Sequence, residues 1–349
     1  MRLKKLRQQM EKQGVRAALI AGINNVRYFS GFSGDSTQLL IMPGEALLFT
    51  DFRYTEQAEE ETDFEVIETK GAARVQEIFD RAGKGKIGAD FAGIMYTEYK
   101  TYLGHVASDH IIDLSDTIMA QRRIKDAGEI ALIARGAKCN DALFAHLCRI
   151  IKPGMSEMDV MAEIVYYMHK HGARSAFPPI VASGENGSLP HAVPGSAKLK
   201  AGDFVTMDYG AKFGGYCSDF TRTIGISDID KGRQKVYDIV KTAGETAQRA
   251  MKPGQKMCDI DAAAREYIAS KGYGQAFGHG LGHGVGLAIH EAPSLSAASK
   301  LAMAAGMVVT VEPGIYIKSK YGVRIEDLCV ITQSGCENLS SAPRELIII

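Results

Sequence analysis

The chain repeats itself, and that repeat limits its fold more than any other feature. Lys152-Pro153-Gly154 recurs as Lys252-Pro253-Gly254, an offset of 100. At the same offset Met158-Asp159-Val160 matches Cys258-Asp259-Ile260, Gly172 matches Gly272, and Ala176-Phe177 matches Ala276-Phe277. Further on, Ala201-Gly202, Val205-Thr206, Asp208 and Gly210 match Ala305-Gly306, Val309-Thr310, Glu312 and Gly314 at an offset of 104, and Gly215 and Asp219 match Gly322 and Glu326 at 107. Loop insertions account for the drift. Two copies are too few for a solenoid, which stacks at least about three units. The expectation is one α+β domain of two related halves, each a helix followed by a β-hairpin, facing each other across a pseudo-twofold axis.

Sequence outside the repeat predicts a second domain. The length of 349 residues leaves room for it, at roughly 150 residues per domain. Leu3, Leu6 and Met10 recur at helical spacing up to Gly14, and Ala17 to Ala21 reads as a buried strand. Gln38 to Met42, Pro43-Gly44 and Ala46 to Thr50 read as a hairpin, Lys70-Gly71 precedes a helix, and Lys86 to Ala89 is another strand. This is a small α/β domain, placed at residues 1–118, with the duplicated domain at 119–349. Residues 126–151 read as a long helix, with Asp126 and Glu129 at capping-box spacing. Pro153-Gly154 ends it, and Ser156 with Asp159 opens the next.

Composition removes several classes of function. Forty-one basic against 41 acidic side chains give a net charge of 0, which argues against a nucleic-acid partner. No apolar run approaches the ~18 residues of a membrane span. The basic start (Arg2, Lys4, Lys5, Arg7) is followed by Gln8, Gln9, Glu11 and Lys12 where a signal peptide needs apolar residues. Six cysteines without a CxxC pair read as buried, reduced thiols. A cytoplasmic enzyme or binding protein is the expectation.

The repeat places an acid at two matching points in each half. With a turn between Phe213 and Gly214, Asp208 and Asp219 become cross-strand partners; with a turn on Ser319, so do Glu312 and Glu326. Like charges so placed repel. The flanking residues Val205, Met207, Val309, Val311, Ile325 and Leu328 are those of a core, where ionised carboxylates need cations or must neutralise. Two divalent cations would balance four carboxylates; sharing a proton, or pairing with Arg222 and Arg324, is the competing solution.

Three histidines, His279, His283 and His290, lie in or just after the glycine-dense run Gly278 to Gly286. The run does not match GxGxxG, so its glycines read as allowing close approach to a crowded site. Oxygen and imidazole donors without thiolate suit Mn²⁺, Co²⁺, Fe²⁺ or Zn²⁺. Two such ions about 3.5–4 Å apart can activate a shared water, and amide or ester hydrolysis follows naturally. Tyr209 reads as core, and His169 and His171 as surface.

At these residues the chain resembles the proline-specific branch of the pita-bread (creatinase/aminopeptidase-like) metallopeptidases, aminopeptidase P and prolidase. Five motifs in order carry the resemblance along the chain: Met207-Asp208-Tyr209-Gly210, Ser218 to Thr223, Gly282 to Gly286 with His290-Glu291, Val311-Glu312-Pro313-Gly314, and Gly322 to Asp327. The resemblance implies Asp208, Asp219, His283, Glu312 and Glu326 as metal ligands, with Asp219 and Glu326 bridging, and Mn²⁺ or Co²⁺ as the usual ions (Zn²⁺ also fits). It implies that Glu312 takes a proton from the water, that His191 and His290 hydrogen-bond the scissile carbonyl, and that His279 and Arg324 contact substrate or support those that do. For Arg324, a plain counter-ion to Glu326 is the rival reading.

By the same resemblance the substrate is a peptide with proline in second position, the partner is a second copy in a homodimer, and no nucleic acid or membrane is engaged. Methionine aminopeptidases resemble the catalytic half but generally lack the N-terminal domain. Some prolidases carry an arginine where this chain has Ser294, which leans toward aminopeptidase activity. The alternatives are a metal-free hydrolase of creatinase type and a non-catalytic protein-binding module; both should have lost ligands that this chain keeps.

Overall fold

The computed structural model describes residues 1–71 and 73–349, and the chain forms two compact units, Met1–Arg122 and Arg123–Ile349. In the first, helix Arg2–Lys12 buries Leu6 and Met10, one turn apart, and strand Val15–Ile20 follows with Ala17 to Ile20 fully buried. That strand lies within a six-stranded sheet ordered Glu65–Glu68, Ala46–Thr50, Gln38–Ile41, Val15–Ile20, Lys86–Ala89 and Ile111–Asp113. Only Gln38–Ile41 runs antiparallel to its neighbours, through the expected hairpin; the other pairings are parallel. The architecture is α/β. Helix Ser115–Arg123 runs across the 118/119 boundary expected from the sequence, and the units part at its end. Ile118 and Arg122 explain why: both are buried in the first unit, where Arg122 Nη1 donates to Asn25 Oδ1 at 2.7 Å.

The second unit is duplicated at the level of individual hydrogen bonds. Gly154 N donates to Leu199 O and Gly254 N to Met303 O; Gly202 N donates to Ile226 O and Gly306 N to Ile331 O. Gly154 and Gly254 take φ of 89° and 85°, so each Lys-Pro-Gly makes the same left-handed turn between helices. Each half opens with two helices, Ala127–Ile150 and Glu157–Lys170, then Lys231–Ala250 and Met257–Ser270, and the second begins at Ser156 as its capping residues predict. The Asp126 capping box forms in both directions, with Asp126 Oδ1 accepting from Glu129 N and Glu129 Oε2 from Asp126 N, each at 2.9 Å.

The hairpins fix where the acids fall. In the first half Phe204–Asp208 pairs with Thr221–Gly225, and Asp208 stands opposite Thr221, not Asp219. The expected register fails by two positions because Gly214 and Gly215 both take positive φ and form the two-residue turn, so its centre lies between them. A slip of two keeps every side chain on its face, whereas a slip of one would have turned the acids away. In the second half Val311 pairs with Asp327 and Gly314 with Arg324. Both pairs are symmetric about Ser319 (φ 56°), which sets Glu312 opposite Glu326 as the spacing predicts.

The halves meet along these strands. Thr221 bridges to Glu326, and Thr223 Oγ1 donates to Arg324 O at 2.9 Å. Behind them lie two apolar cores, one around Leu147, Val205, Met207 and Phe220, the other around Val240, Ile260, Val309 and Ile325. Tyr209 is fully buried, as expected, and His169 and His171 are exposed. Of the six cysteines only Cys217 and Cys329 are buried, which corrects the reading for the other four; none is in a disulfide. Among the described residues no helix is long and apolar enough to cross a membrane.

Candidate metal centre

The acids converge on one place. Asp219 sits in the short break before strand Thr221–Gly225, and Glu312 in the break between strands Val308–Val311 and Gly314–Ile317, each two residues from a strand residue (Thr221, Thr310) that bonds one of the acids. A cavity of about 550 Å³ opens there, and its wall includes Asp208, Asp219, His283, Glu312, Glu326, His191, His279, His290 and Arg324. Every site residue expected from the sequence is brought to this one cavity. Asp219, His283 and Glu326 form the tightest group, with one ligand atom from each all within 4.8 Å of one another. His283 Nε2 lies 3.5 Å from Asp219 Oδ2 and 3.4 Å from Glu312 Oε1.

These distances are informative because of the imidazole's protonation state. Burial pushes the pKa of His283 down to about 4, so the ring is neutral at pH 7. Its Nδ1 is 3.0 Å from Gly284 O, which can only accept, so the single proton sits on Nδ1. Nε2 therefore presents a lone pair to two carboxylate oxygens, which are acceptors as well once ionised. Three acceptors facing one another repel unless a cation lies among them.

The carboxylates report the same deficit. Burial drives the pKa values of Asp219 and Glu326 well above the ordinary range, and repulsion from the neighbouring acids adds to it. Glu312 is raised to about 7, again chiefly by burial and with partial relief from Arg324. Among the described residues neither Asp208 Oδ1 nor Glu326 Oε1 has a hydrogen-bond partner, although both are buried. Stranded acceptors are costly, and oxygen and imidazole donors without thiolate are what divalent metal ions take. The residues present fit such ions.

One carboxylate is already matched. Arg324 Nη2 donates to Asp208 Oδ2 at 2.5 Å, so its direct ion pair is with Asp208, while Glu326 feels its charge only at longer range. Its Nη1 donates to Tyr316 OH at 2.8 Å and Pro190 O at 3.2 Å. Tyr316 OH accepts from the arginine and lies 3.0 Å from His279 Nε2, so its own proton goes to that nitrogen. His279 Nδ1 then donates to Gly280 O at 2.8 Å, consistent with a ring that burial holds neutral (pKa about 4). The result is a chain in which Arg324 donates to Asp208 on one side and, through Tyr316, toward His279 on the other.

Sequence reasoning missed three contributors. Thr221 Oγ1 donates to Glu326 Oε2 at 2.6 Å, Thr310 Oγ1 to Glu312 Oε1 at 3.1 Å, and Tyr316 closes the chain just described. Each lies two or four residues from an acid in the sequence, and that spacing was the available signal. His191 and His290 stand apart from the buried group. Both are exposed on the cavity wall, and the His290 ring packs edge-on against His283 with centroids 4.3 Å apart.

Comparison with known proteins gives the family of both units. The family described as metallopeptidase family M24 matches residues 131–333, and the creatinase/prolidase N-terminal domain matches residues 2–124. The peptidase YqhT of Bacillus subtilis, whose function is uncharacterized, is 40% identical over the whole of both chains. An Xaa-Pro dipeptidase from Bacillus anthracis superposes with a TM-score of 0.95 at 38% identity, covering 100% of this chain and 99% of that one. An X-Pro aminopeptidase from Thermotoga maritima does so with a TM-score of 0.93 at 35% identity, covering 99% of each. The two units are thus a creatinase-type N-terminal domain and a pita-bread catalytic domain.

Proposed function

We propose, from the premise that this chain belongs to metallopeptidase family M24, that it hydrolyses the bond between a first residue and a following proline. The observation that carries this reading is the lone pair of His283 Nε2 facing Asp219 and Glu312 beside the stranded oxygens of Asp208 and Glu326. Asp208, Asp219, His283, Glu312 and Glu326 would hold two divalent ions, Mn²⁺ or Co²⁺ before Zn²⁺, with Asp219 and Glu326 shared between them. Such ions, when bound, acidify a water and offset the charge of a tetrahedral oxyanion.

The chain's own groups do the rest. The Glu312 carboxylate takes a proton from the attacking water and returns it to the leaving prolyl nitrogen. His191 and His290 donate to the scissile carbonyl oxygen as it gains charge, each contributing about 2.7–4 kcal/mol to lowering the barrier. His279 and Arg324 border the substrate; Arg324 holds Asp208 directly and is linked to His279 through Tyr316. An Xaa-Pro amide has no N–H to satisfy, so the apolar wall of Phe177, Pro178, Pro179 and Ile289 can take its ring without stranding a donor. Ser294 on the same wall offers no cation to grip a dipeptide's carboxylate, which favours longer peptides and an aminopeptidase. The reading includes a homodimer and a cytoplasmic setting, where thiols stay reduced.

The test is a peptide panel on chelator-stripped protein with and without Mn²⁺ or Co²⁺: Ala-Pro, Ala-Pro-Ala, Ala-Ala-Ala and Met-Ala-Ala. Cleavage of the proline peptides alone, and only with metal, is expected. Full turnover after exhaustive chelation, or preference for Met-Ala-Ala, overturns the reading.

A further inference from the structure

The two halves share a backbone but exchange side chains at one pair of positions. On the second helix of each half, sites one turn apart carry Glu157 and Met161 in the first half, and Met257 and Asp261 in the second. Both acids are fully buried, neither lines the cavity, and a buried carboxylate is tolerated only when hydrogen-bonded. Asp261 takes Leu281 N at 3.0 Å and both ends of Arg265, which in turn donates to Phe277 O and His279 O. It thus ties down the segment that leads into His279 and His283.

Glu157 does the same in the other half. Its Oε1 accepts from Ser183 N at 2.7 Å, Ser183 Oγ at 2.9 Å and Asn186 Nδ2 at 3.1 Å; its Oε2 accepts from Asn186 Nδ2 and Gly195 N, both at 3.1 Å. These donors sit at the start and end of segment 183–195, whose middle carries Pro190 and His191. The His191 ring is exposed, so its place over the cavity is set by the backbone beneath it. The helix start needs no acid for its own sake: at the equivalent point Met257 packs in an apolar core.

We propose that Glu157 is a positioning residue that clamps segment 183–195 and acts on the reaction only through His191. This rests on the role given to His191 above. The test uses full-length Mn²⁺-loaded protein and an Xaa-Pro tripeptide, and compares Glu157→Met, His191→Ala and the double variant. Glu157→Met should lower kcat on the order of 100-fold with KM little changed, since a small displacement of a catalytic group has that effect. In the His191→Ala background it should change kcat by less than about twofold, because residues acting in series are not additive. An equal loss in both backgrounds overturns the proposal.

Glu157→Gln keeps the Oε1 acceptor, opposes an NH₂ to Gly195 N, and should give an intermediate loss; it carries the test if the methionine variant does not fold. Amide exchange across 183–195 should quicken in Glu157→Gln while helix Glu157–Lys170 is unchanged, and no quickening also overturns the proposal. Should the wild type leave Xaa-Pro peptides intact, the functional reading fails, and the exchange measurement still decides whether Glu157 holds the segment.

Discussion

Protons and metal ions compete for the same atoms at the centre of the site. Without metal, burial holds a proton on Glu312 up to a pH of about 7 and raises Asp219 and Glu326 above their ordinary range. Each proton bound there must leave before a cation enters, so affinity rises with pH until these groups have ionised. His283 adds nothing to this competition near neutrality, because its pKa lies at about 4. Mn²⁺ affinity should therefore climb with pH, by up to about tenfold per pH unit for each displaced proton, through the Glu312 step near pH 7. Calorimetric titration in two buffers of different ionisation enthalpy reads both the slope and the protons released; a flat profile between about pH 5.5 and 7.5 would contradict it.

At the scale of strands, the site depends on backbones coming unusually close. A Cβ built on Gly282 would lie 2.2 Å from Thr310 O and 2.7 Å from Thr310 Oγ1. Gly282 belongs to strand Gly282–Gly284, which pairs with both Glu291–Leu295 and Val308–Val311. Thr310 Oγ1 accepts from His283 N and donates to Glu312 Oε1, so parting these strands moves two ligands at once. Gly282→Ala should cost about 1–3 kcal/mol of stability and weaken metal binding. Gly278→Ala, whose Cβ meets nothing within 4 Å, serves as the neutral control in thermal melts and metal titrations.

The same elements show what could be read from residue order. The Ser319 turn was legible because one residue with positive φ fixes a register that the flanking strands continue. The first turn was not, since Phe213-Gly214 and Gly214-Gly215 are both plausible turns until the pairing of Phe213 with Tyr216 decides between them. Glu157 was hidden for another reason. It stands between Ser156 and Asp159 in a helix's first turn, where an acid is ordinarily explained by capping and the helix dipole. Only the tertiary fold brings a loop 26 to 38 residues away onto its oxygens.

Across the whole molecule, all five proposed ligands belong to the unit Arg123–Ile349 and none to Met1–Arg122. Binding that favours the native state adds stability only where the site is; about 2.7 kcal/mol is expected at a hundredfold excess over Kd. Chelation should therefore lower amide-exchange protection in the hairpins Phe204–Gly225 and Val308–Ile331 and leave strands Val15–Ile20 and Lys86–Ala89 unchanged. Equal loss in both units would show that the N-terminal sheet depends on the metal. The duplicated architecture also sets an order of events at the ribosome. Asp219 emerges 107 residues before Glu326, an interval of roughly 5–20 s at ordinary elongation rates. Throughout it the nascent first half shows acids with no opposing set, so the cation can be captured only once synthesis of the second hairpin is finished.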